Sequence, residues 1–165
     1  MASRRIVVLA ALLALSGAVP ALAADPVKPR AGVLLSGMIQ FPRAQRMSIQ
    51  TGATDRTRLT VAMGFDGRCK GGGLGELWAA NVRTSPDIRA RDGRISATLT
   101  GTLKNLDRVK GRTGVFTWRL VGRFVKRDVV TAVVTGTAQV RIDGKVVSKC
   151  TIAKPAKVRL AIRSS

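Results

Sequence analysis

The chain has 165 residues, with 29 Lys and Arg against 9 Asp and Glu, and a formal net charge of +20. It has no His. That removes the commonest general base, proton shuttle and metal ligand, and it excludes Ser-His-Asp and Cys-His sites.

The first segment, MASRRIVVLAALLALSGAVPALAA, has the layout of a secretory signal peptide. Arg4 and Arg5 make a charged start, and an apolar run follows from Ile6 to about Leu15. Gly17 and Pro20 then break the run ahead of Ala21-Leu22-Ala23, an A-x-A cleavage signature. The run is too short for a spanning helix, which needs about 20 apolar residues. Residues 1–23 are therefore read as a leader cleaved near Ala23. The exported chain is expected in the periplasm, on the envelope or outside the cell. Loss of Arg4 and Arg5 leaves a net charge of +18. No later apolar run reaches spanning length.

Residues 24–31, ADPVKPRA, read as a flexible Pro-rich leader, and residues 32–165 as a single domain. From Val33 on the dominant period is two. Leu59, Val61, Met63 and Phe65 alternate with smaller or polar residues. Ile95, Ala97 and Leu99 do the same, as do Phe116, Trp118, Leu120 and Phe124. Val130 to Ile142 and Val158 to Ile162 repeat the pattern. Each reads as a strand with one buried and one wet face.

Turn chemistry separates the strands. Asp92-Gly93 and Asp143-Gly144 are hairpin signals, because those residues tolerate positive φ. Lys126-Arg127-Asp128 predicts another hairpin, and Asp66-Gly67 a turn or a bulge. Gly71-Gly72-Gly73 with Gly75, and the basic stretch 104–114, read as loops. No segment carries the capped periodicity of an amphipathic helix. The expected fold is an all-β antiparallel sandwich of nine or ten strands, with a small barrel as the alternative.

Cys69 and Cys150 are an even pair in an exported domain, most simply a disulfide. Two thiols without His or a carboxylate cluster do not complete a metal site. Cys69 shares parity with Met63 and Phe65, and Cys150 with Val146 and Ile152. Without bulges both sulfurs point inward.

The carboxylates offer no catalytic pairing. Asp66, Asp92 and Asp143 each precede Gly and are explained by turns. Glu76 is read as a strand-end charge. The glycine run lacks G-x-x-x-x-G-K-[ST] and a following helix, and S-x-x-K is absent. The expectation is a non-catalytic protein with no cofactor and no metal.

The basic excess points to a polyanion partner. Arg119 and Arg123 lie on the wet face of one strand, and Arg159 and Arg163 on that of another. They form a candidate anion-binding patch if the strands come together. Trp118 shares its face with Phe116 and Leu120 and reads as core. Trp78 is the weaker candidate for ligand contact. Export confines the expected anion to an envelope polymer and disfavours nucleic acid. The alternative is a structural or protein-interaction module, subunit-like or inhibitor-like, whose charge serves solubility only.

Three stretches, Gly93-Arg94-Ile95-Ser96-Ala97-Thr98-Leu99, Gly122-Arg123-Phe124 and Val133-Val134-Thr135-Gly136-Thr137-Ala138, resemble small exported bacterial β-sandwich proteins. In that group such strands lead to a late cysteine paired with one about midway, which Cys69 and Cys150 match. The group usually has an aromatic residue a few positions after its last cysteine, where this chain has Val158 and Leu160. The resemblance implies the fold and export, and no activity.

Overall fold

The computed structural model describes residues 25–40, 43–71, 73, 75–84 and 88–162. The leader at 1–23 and Arg163 lie outside them. The protein is all-β. Its strands are β1 (Leu34–Gln40), β2 (Ala44–Thr51), β3 (Arg58–Lys70), β4 (Glu76–Arg83), β5 (Ile88–Arg89), β6 (Arg94–Lys104), β7 (Arg112–Lys126), β8 (Val129–Ile142), β9 (Lys145–Thr151) and β10 (Ala156–Ile162). All pairings are antiparallel.

The strands form a sandwich of two leaves. The first holds β1, β2 and β3, with β4 and β5 on the far edge of β3. The second holds β6, β7 and β8, with β9 and β10 sharing the far edge of β8. β9 and β10 act as one interrupted strand. Thr151 still pairs with Thr137, and Ala156 resumes opposite Val134. At the jog between them the chain exchanges the partner on its other edge. β9 pairs with β3, and β10 pairs with β1. The two leaves are thus hydrogen-bonded to each other at two corners.

One core lies between the leaves. Phe65 of β3 meets Phe116 and Trp118 of β7 edge-on, at 5.4 and 6.5 Å between ring centroids. Phe116 and Trp118 stack at 5.6 Å. All three rings are fully buried. The alternating residues read from the sequence supply this core, because in a two-leaf sandwich every second side chain turns inward. Gly136 stands opposite Trp118, where a Cβ would come within 2.8 Å of the indole. The absent side chain makes room for the ring.

The turns follow the residue chemistry. Asp92 and Gly93 have φ of 50° and 71°, and Asp143 and Gly144 have 46° and 81°. These are the positive-φ pairs that two-residue hairpins need. The loop expected over 104–114 is shorter, because β6 and β7 pair as far as Lys104↔Thr113. A single 3₁₀ turn at Leu106–Arg108 fills it.

Two local expectations are corrected. Asp66-Gly67 is not a turn but lies within β3. Asp66 is only 2% exposed, and its carboxylate accepts the Arg43 N–H at 2.8 Å. The irregularity falls nearby instead, as a register shift between Met63 and Phe65 opposite Asn81, whose φ is 53°. Second, Val146 does not share the inward face of Cys150. Ser148 keeps the inward face of Cys150, but the β8–β9 register slips between Val140 and Arg141, so Val146 turns out and is 44% exposed.

Cys69 and Cys150 are bonded, as their parity suggested, and they are register partners of β3 and β9. The bond sits at the middle of a ladder that runs only from Arg68↔Thr151 to Lys70↔Lys149. It therefore secures one of the two corners at which the leaves are joined. The segment before β1 is also held. Pro29 is buried, the Arg30 N–H donates to the Arg127 carbonyl at 2.7 Å, and the Thr51 hydroxyl donates to the Arg30 carbonyl at 2.7 Å.

Candidate functional site

Register partners across a sheet share one face, so the outward surface of the second leaf can be read row by row. Arg94 of β6 stands opposite Arg123 of β7, Arg123 opposite Thr131 of β8, and Thr131 opposite Arg159 of β10. Three guanidinium groups therefore lie in one cross-strand row. Arg94 and Arg123 are on adjacent strands. Arg159 lies two strands from Arg123, about 10 Å away at ordinary strand spacing. The next row is Ser96, Val121, Val133 and Lys157. Arg94, Ser96, Val121, Arg123, Val133 and Lys157 line a shallow depression of about 510 Å³. All three arginines and Lys157 are exposed.

Arg119 belongs to the row after that, Thr98, Arg119 and Thr135. It is exposed, on the same face and one step further along β7 from the depression. Beyond it runs a row of hydroxyls, Thr100, Thr117, Thr137 and Thr151. β-Branched Thr suits a half-wet strand, and here it leaves the middle of the face polar and uncharged.

The charge on this leaf is one-sided. β6 carries Arg94 and Lys104, and β7 carries Arg112, Arg119, Arg123 and Lys126. β8 carries Arg141, β9 carries Lys145 and Lys149, and β10 carries Lys157 and Arg159. None of these strands contains an Asp or Glu. Among the described residues no carboxylate pairs with Arg94, Arg119, Arg123, Lys157 or Arg159. Like charges directly opposite on neighbouring strands cost a few tenths to about 1 kcal/mol. Arg94↔Arg123 carries that repulsion with no internal counter-charge.

The candidates from the sequence are placed as follows. Arg119, Arg123 and Arg159 share one face, and β8 runs between the strands that carry them. Arg94 was not singled out. Its signal was available, since it opens the strand after Asp92-Gly93 on the parity of Ser96, but only the β6–β7 register places it opposite Arg123. Trp78 is 47% exposed on β4, in the other leaf, opposite Asp66. It is not part of the basic row. Glu76 opens β4 and is ion-paired to Arg43 at 3.0 Å.

No family model, curated protein or solved structure matches this chain. Among the described residues no helix is long and apolar enough to cross a membrane.

Proposed function

We propose that the exported chain is a binding module for an anionic, phosphate-rich polymer of the cell envelope, engaged by the outward face of the second leaf. The observation that carries this reading is the cross-strand row Arg94, Arg123, Thr131 and Arg159, with Lys157 beside it and no carboxylate on any strand of the leaf. Arginine suits the task. Its planar fork binds phosphate oxygens in pairs and stays charged at every physiological pH. The exposed Val121 and Val133 give the floor of the depression apolar contact for a polymer backbone. The leader of residues 1–23 places the module outside the cytosol, where a disulfide persists. The reading is one of binding, carried by charge, in a chain that lacks the commonest general base, His.

The reading is tested by titrating poly(glycerol phosphate) into the chain from Ala24 onward at low salt, beside an R94Q/R123Q/R159Q variant. The variant is expected to bind at least about tenfold more weakly, a loss of about 1.4 kcal/mol. An R43Q/R46Q/R83Q variant, which removes the same number of charges from the first leaf, is expected to bind as wild type. Equal losses in both variants would assign the affinity to net charge and not to the row.

A further inference from the structure

The molecule carries a second concentration of unpaired positive charge, at the corner closed by the disulfide. Lys70 of β3 and Lys149 of β9 are register partners, one residue beyond Cys69↔Cys150. Arg68 lies two residues back along β3, on the same side of the strand as Lys70. With Val146, Val147 and Thr151, these residues line an open cleft of about 660 Å³. Arg68, Lys70 and Lys149 are all exposed. Glu76 stands opposite Arg68 on β4, but its carboxylate is ion-paired with Arg43. Among the described residues no carboxylate pairs with Arg68, Lys70 or Lys149.

Two ammonium groups directly opposite each other repel, and free strands would let them part. Here the covalent bond between the adjacent residues keeps their backbones side by side, so the two side chains leave from neighbouring positions. The Ser148 hydroxyl also donates to the Lys70 carbonyl at 3.2 Å, tying the backbone of the pair from the buried side. Three cations around one cleft give it a positive field that favours an anion between them.

We infer that the cleft between Lys70 and Lys149 is a second anion site, specific for a compact, multiply charged phosphate group such as a phosphomonoester or pyrophosphate. Its three cations lie on two neighbouring strands within two residues of each other, roughly 7 Å, a span that suits a single group. It stands apart from the arginine row. Thr131 marks that row on β8 and Gln139, the neighbour of Lys149, marks the cleft. Eight residues of strand, roughly 26 Å, separate them. A phosphate can reach such a site free in solution or on a lipid headgroup, and both sources share the same chemistry.

The test uses the chain from Ala24 onward with two probes, inorganic pyrophosphate by calorimetric titration and phosphatidic acid in phosphatidylcholine vesicles by cosedimentation. K70Q/K149Q is expected to weaken at least one of the two by about tenfold, the affected arm naming the source. R94Q/R123Q/R159Q is expected to leave pyrophosphate binding within about twofold. A K70Q/K149Q variant that binds both probes like wild type overturns the proposal. So does an R94Q/R123Q/R159Q variant that loses pyrophosphate binding to the same degree. Thermal melting gives an independent reading. K149Q is expected to melt higher than wild type without anion, and pyrophosphate to raise the wild type more than the variant. A K149Q variant that melts lower without anion overturns the claim that the pair is held against repulsion.

Discussion

Two like-charged pairs, one in each leaf, are treated in opposite ways. In the first leaf, Arg58 and Arg89 are register partners of β3 and β5. Asp55 stands beside them, paired to Arg89 at 2.8 Å. Arg43 at the start of β2 is likewise answered by Glu76. In the second leaf Arg94 faces Arg123, and among the described residues no carboxylate answers either. The same repulsion is neutralised from within at the first pair and left open, among the described residues, at the second. A surface charge kept for solubility has no need of that asymmetry. A surface that meets an external anion does, since internal carboxylates would compete for the same guanidinium groups.

The largest effects are expected where the leaves meet. Phe65→Ala removes the ring through which β3 contacts both Phe116 and Trp118, and is expected to cost about 3–5 kcal/mol by denaturant titration. Replacing both Cys69 and Cys150 by Ser releases a bridge between positions 81 apart, and is expected to cost roughly 4 kcal/mol in the loop-entropy account. An unchanged denaturation midpoint in the latter would mean that the corner is secured by its hydrogen bonds alone.

Smaller effects separate the two leaves themselves. R94Q/R123Q/R159Q is expected to raise stability by several tenths of a kcal/mol at low salt, because it removes opposed charges that nothing offsets. R89Q, in the first leaf, is expected to lower or leave unchanged the stability, because it takes away the partner of Asp55. Urea titrations of the two variants side by side give the signs, and the same sign in both would erase the distinction.

The smallest effect concerns Asp55. Hydrogen bonds from Thr57, chiefly its hydroxyl and then its backbone N–H, hold the Asp55 carboxyl below its usual range, with the nearby Arg89 charge adding to them. A depressed carboxylate pKa stabilises the fold above the ordinary value and loses that contribution as pH falls through the folded one. The stability difference between wild type and D55N should therefore be full above about pH 3.8 and decline as pH falls through the lowered folded value. A difference that persists unchanged at pH 2 would remove the carboxylate from the account.

Much of this arrangement was legible in the sequence, and what was not has a common cause. Alternation at Leu59 to Phe65 and Phe116 to Phe124 gave the buried faces, and Asp92-Gly93 and Asp143-Gly144 gave two turns, because those signals are local. The parity of Cys69 and Cys150 pointed both inward, and they meet. Val146 was misplaced because a one-residue slip reverses every side chain beyond it, and no residue between Val146 and Ser148 announces the bulge. Asp66-Gly67 was misread because an Asp-Gly pair in midstrand looks like a turn until the Arg43 N–H that satisfies its carboxylate is in place. Arg119, Arg123 and Arg159 were found from their strand faces alone. Their assembly with Arg94 depends on pairing between strands distant in sequence, and so does the meeting of Lys70 with Lys149. A single-strand pattern cannot carry that information.

The central claim is that the arginine row, and not net charge, holds the polymer. The direct measurement is the affinity of wild type and R94Q/R123Q/R159Q for poly(glycerol phosphate) across a series of NaCl concentrations. Wild-type affinity is predicted to fall steeply as salt screens the contacts, and the variant to start weaker and fall along a clearly shallower slope. Two parallel lines, or a wild type indifferent to salt, would contradict the account.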